Sequence, residues 1–143
     1  MTGPERDRDS GGRARQGRPR DALGRPLPYG AHGVEPVSEE PLPPDETLER
    51  ARELVAAGRP FSAHEVLEAR WKAGPSDESD LWQGLAQLCV ALTHAARGNP
   101  VGADRLFERA GDRLAAFAST GRPAYGVDVA GAARRARDHE GAF

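Results

Sequence analysis

From residue 45 onward, apolar positions recur every three or four residues. In 45–57, Leu48, Ala51, Leu54 and Val55 fall at i, i+3, i+6 and i+7, one stripe of an amphipathic helix. Asp45 is its expected N-cap, Glu46 suits the first turn, and Gly58 stands at the C-cap position. The capping box Ser62-x-x-Glu65, with Phe61 stapled onto Val66, predicts a second helix that runs through Trp71 and ends before Gly74-Pro75. Residues 77–80 reopen a helix that continues to Gly98. Leu81, Leu85, Leu88 and Leu92 keep i, i+4, i+7 and i+11 spacing along it, beside Cys89, and make it the expected centre of the fold. Gly98-Asn99-Pro100 reads as the end of one helix, the N-cap of the next and its first residue. Ala103, Leu106, Phe107, Ala110, Leu114 and Phe117 stripe a fourth helix over 100–118. Residues 127–138 carry a shorter fifth.

No period-2 apolar run of four or more interrupts this pattern, so the expected fold class is all-α. It is a small bundle of about five helices arranged as antiparallel helical hairpins, with an extended N-terminal arm. The arm, 1–44, holds eight of the 12 prolines and few large apolar residues, a composition that favours an extended or disordered segment. Its pieces at 17–20 and 24–30, GRPR and GRPLPYG, read as strap and turn. The helical domain is expected over 45–118. A Gly-Arg-Pro break at 121–123 separates it from a loop and short C-terminal helix within 119–143.

Composition narrows the function classes. Only 38% of the 143 residues are hydrophobic, so the core must be concentrated in the helical part. No stretch approaches the ~18 uncharged apolar residues of a membrane span, and the opening MTGPERDRDS carries no apolar signal region. The single Cys89 rules out a disulfide framework and a thiolate zinc cluster, and a cytoplasmic setting is expected. Net charge is −2, and the seven arginines of the arm are matched by seven acids, so neither nucleic acid nor an anionic membrane is an expected partner. Nineteen arginines against the lone Lys72 fit a GC-rich genome rather than a chemistry. Phosphate-binding loops, dinucleotide fingerprints, nucleophile elbows and Cys/His zinc spacings are all missing from the sequence.

The second and third helices carry polar residues that a plain bundle does not need. His64, Glu68 and Trp71 share one face of the second helix, and Gln83, Gln87 and His94 share one face of the third. The short connector forces the helices antiparallel. Folding about residue 78 or 79 sets position 94 opposite 64, so two imidazoles, a carboxylate and two amides face one seam. Buried without partners, such groups cost several kcal/mol, on the order of 1–3 kcal/mol each. Three readings compete. His64, Glu68 and His94 are candidate ligands for a divalent metal, with an open position for chemistry. The run H-E-x-x-E is one residue short of the zincin pattern, Glu68 standing in place of the second His. Alternatively, the seam binds a small polar or anionic ligand through His64, Gln83, Gln87, His94 and Arg97, with Trp71 or Trp82 as an apolar wall. In the third reading the groups simply hydrogen-bond to one another and fix the helix register.

The runs FSAHEVLEARWK at 61–72, LWQGLAQLCVALTH at 81–94 and RGNPVGA at 97–103 resemble the bacterial domain-of-unknown-function 309 family. Its pattern is an aromatic, then H-E-x-x-E-x-x-W, Q-G-x-x-Q and G-N-x-x-G-A. Here His64, Glu65, Glu68, Trp71, Gln83, Gly84, Gln87, His94, Gly98, Asn99, Gly102 and Ala103 match it. The Arg-Pro-rich arm is similar to the extension of actinobacterial members. The resemblance implies a small helical fold and no settled activity. The expected function is therefore binding of a small polar ligand or divalent metal in a His/Glu/Gln cleft between the second and third helices. A metal-assisted hydrolase with Glu68 as ligand or base is the enzymatic alternative. A third class is an interaction module whose arm clasps a protein partner or a second copy of the chain as a homodimer.

Overall fold

A computed structural model describes residues 7–8, 14–15, 20–26, 33, 37–38 and 40–143 of the chain. Most of the expected arm, 1–44, therefore lies outside the described residues. Two two-residue strands, β1 (Asp7–Arg8) and β2 (Ala14–Arg15), pair antiparallel, Asp7 with Arg15 and Arg8 with Ala14. Otherwise the described chain is helical: α1 (Pro44–Ala56), α2 (Pro60–Ala73), α3 (Ser79–Ala96), α4 (Pro100–Ser119) and α5 (Val129–Arg137). A single 3₁₀ turn, Ser76–Glu78, leads into α3. The all-α bundle of five helices in successive hairpins is thus the observed fold.

Helix ends follow the capping chemistry in most places and depart from it at two. Asn99 accepts a hydrogen bond from the Gly102 backbone N–H at 3.1 Å with Pro100 at the first helical position, as its sequence suggests. Asp128 caps α5 in the same way through Gly131, at 3.0 Å. By contrast, α1 begins at Pro44, so Asp45 lies in its first turn rather than at its cap. The capping box of α2 does not form. Pro60 opens the helix three residues early, leaving Ser62 inside the first turn, where its hydroxyl accepts from the Arg59 guanidinium at 3.2 Å. Phe61 accordingly does not follow the staple geometry; its ring lies 5.4 Å from the His64 ring.

The core forms around α3, which packs against α2 on one side and α4 on the other. Leu81, Trp82, Leu85, Leu88 and Cys89 are all fully buried. The Trp82 indole N–H is satisfied by Glu78 at 3.0 Å. Burying a Leu side chain contributes about 1.5–3 kcal/mol, so this row adds several kcal/mol to the cohesion between hairpins. Gly84 lets α4 come close: a Cβ there would stand 2.9 Å from the Leu114 side chain, itself fully buried. At the far end the tail returns to α1, where Arg52 Nε donates to the Phe143 carbonyl at 2.7 Å.

Candidate functional site

The facing ends of α2 and α3 are Ala73 and Ser79, and the Trp71 indole N–H donates across the connector to the Ser79 hydroxyl at 2.7 Å. Equal helical rise from those ends sets Gln83 level with Glu68 and Gln87 level with His64. Helix α3 has 18 residues against 14 in α2, so His94, in its last turn, falls level with the chain before Pro60. The seam therefore registers about 75 to 76 rather than 78 or 79, because the 3₁₀ turn belongs to the connector.

His64 and Glu68 are brought together. The His64 Nε2 lies 3.0 Å from Glu68 Oε2, and the Lys72 ammonium lies 2.9 Å from Glu68 Oε1, so both carboxylate oxygens are engaged along one face of α2. Burial pushes the His64 imidazole below its usual pKa of 6.5. Glu68 and the nearby Phe61 carbonyl pull the other way, and the Lys72 charge adds to the depression. Although the Phe61 carbonyl is close enough to favour a proton, Nδ1 is buried without a hydrogen-bond partner of acceptable geometry. The Oε1 of Gln87, level with it on α3, is buried without one as well. The neutral ring that burial selects donates from Nε2 to Glu68 and leaves Nδ1 as a bare acceptor.

The other candidates sit elsewhere. His94 faces the start of α4, its Nδ1 being 3.1 Å from the Asn99 amide nitrogen. Arg97 is exposed, and its guanidinium donates to the backbone carbonyl of Leu23 in the arm. Trp71 is half-buried against the core beside the connector, and Trp82 is fully buried within it. Among the described residues no three His, Cys, Asp or Glu side chains gather as a metal-binding group, so the trio His64, Glu68 and His94 does not converge.

Sequence reasoning missed the part the arm plays. A cleft of about 360 Å³ opens on the outer face of α2, lined by Val37, Ser38, Glu65, Glu68, Ala69 and Lys72. Its floor is α2 and one wall is the arm, which then runs on to Leu42, whose carbonyl accepts from Arg70 at 2.9 Å and from the Thr47 hydroxyl at 3.0 Å. The only sequence signal was Val37, an apolar residue among prolines and acids. No helix of the described residues is long and apolar enough to cross a membrane. No curated protein and no solved structure matches the chain. Residues 48–106, from the first turns of α1 into α4, match the family described as Domain of unknown function (DUF309), and this segment is a domain of that family.

Proposed function

We propose that the chain binds a small polar molecule in the cleft between the arm and α2, with Glu68 as the recognising group. The observation that carries this reading is the fixed carboxylate. Glu68 borders a 360 Å³ opening while His64 and Lys72 hold its two oxygens in place. A carboxylate immobilised in this way loses little further side-chain entropy on binding, and it accepts hydrogen bonds that a ligand hydroxyl or ammonium can donate. Ser38 and Glu65 add acceptors and Lys72 a donor, a lining suited to a compact polyol or amine. A protein pair of one imidazole and one carboxylate fills too few positions for a divalent metal, so the polar molecule is the better match. The cytoplasm is the proposed setting.

The test is a thermal-shift screen of polyols, amines, amino acids and divalent cations against the wild type and Glu68→Gln. A ligand present at about 100 times its Kd adds about 2.7 kcal/mol to the folded state. The reading expects a shift with a polyol or amine that disappears in Glu68→Gln. A shift that survives the substitution, or no shift across the panel, contradicts it.

A further inference from the structure

Residues 20–26 fold back into a turn seated on the N-terminal end of α2. Arg20 and Pro26 close it as an antiparallel bridge. Inside it, Asp21 Oδ1 accepts from the backbone N–H groups of Leu23, at 3.0 Å, and Arg25, at 2.9 Å. Its Oδ2 accepts from Arg25 Nε at 2.8 Å. The turn is therefore preformed by its own bonds, and its attachment to the bundle is separate from them.

Among the described residues that attachment has three parts. Gly24 is buried against the face of the Phe61 ring, so closely that a Cβ would overlap it, and its φ of +77° suits glycine alone. The Arg20 guanidinium carbon stands 5.5 Å from the centroid of the same ring. Just past α3, at its C-cap, Arg97 holds the Leu23 carbonyl. Phe61 in turn lies against His64, 5.4 Å between ring centroids. The turn thus spans the ends of α2 and α3 and covers the aromatic ring that shields the imidazole. We propose that this turn is a lid on the Phe61 end of the seam: seated, it keeps the Nδ1 edge of His64 buried, and lifted, it opens a path to that nitrogen.

A lid of this kind moves as a unit, because its internal bonds persist when the three outer contacts release. Segments held by few buried contacts open at the low end of a protein's local stability range. The lid concerns access to His64 in the unliganded chain, so a failed ligand screen leaves it standing, and a failed lid leaves the cleft standing.

The experiment is carbethoxylation of the full-length protein by diethyl pyrocarbonate, followed by peptide mass spectrometry. His139, whose side chain is 53% exposed, serves as internal reference. Gly24→Val, which cannot seat on Phe61, is expected to raise the ratio of His64 to His139 modification about tenfold. Arg97→Ala, which removes one surface hydrogen bond, is expected to raise it in the same direction. If Gly24→Val loses helical circular dichroism, Arg97→Ala decides: a raised ratio supports the lid, and a wild-type ratio overturns it. Wild-type ratios in two folded variants overturn it outright.

Discussion

At His64, burial, joined by the Lys72 charge, prevails over two opposing influences. Glu68 and the Phe61 carbonyl would each stabilise the imidazolium, Lys72 works against it, and the net effect is a pKa below 6.5. The linkage follows from that direction. The unfolded chain takes up a proton near 6.5 while the folded ring resists it. Stability is therefore full above about that pH and declines as pH falls toward the lowered native value, below which the loss stops growing. Comparison of melting temperatures between about pH 7 and about pH 5 should show a steeper fall for the wild type than for His64→Gln. Parallel slopes would mean that His64 titrates alike in the folded and unfolded states. Cys89 carries no such role: fully buried, its thiol is pushed up to about 12 and behaves as a small apolar residue.

Helix boundaries show how local chemistry was read and where it was outranked. Asn99 and Asp128 do cap, because nothing precedes them that could start the helix sooner. Ser62 carries the same signature but follows Pro60, whose fixed φ and missing N–H make it a better first residue, and the capping box is pre-empted. Asn99→Ala should therefore cost about 1 kcal/mol in urea unfolding, and more than Ser62→Ala. Equal losses would place a working cap at Ser62. The five helices and the Leu-rich row of α3 were legible because periodicity and Gly-Pro punctuation are local signals. The pairing of His64 with Glu68 was legible for the same reason, being a spacing of four on one helix.

Contacts across the molecule were harder to read, since they depend on connector geometry that no local pattern encodes. The 3₁₀ turn at Ser76–Glu78 shifts the centre of the seam by about three positions, which is enough to carry His94 past the start of α2 and over to Asn99. Likewise, the arm's composition gave no hint that its pieces lie along α2: residues 20–26 on Phe61, Val37 and Ser38 in the cleft wall, and Leu42 at Arg70. Between them these contacts turn a plain helical hairpin into one whose outer face is roofed. The polar pair is thereby set in a partly enclosed space instead of bulk water, where a carboxylate and an imidazole interact more strongly.

That enclosure of His64 by Phe61, Glu68 and the arm is the central claim about how this end of α2 is covered. A nuclear Overhauser spectrum of the full-length protein tests it at a single ring. The Phe61 aromatic protons should show cross-peaks both to the Gly24 α-protons and to the His64 ring. A Phe61 ring with neither contact, seeing only its own helix and water, would contradict the enclosed site.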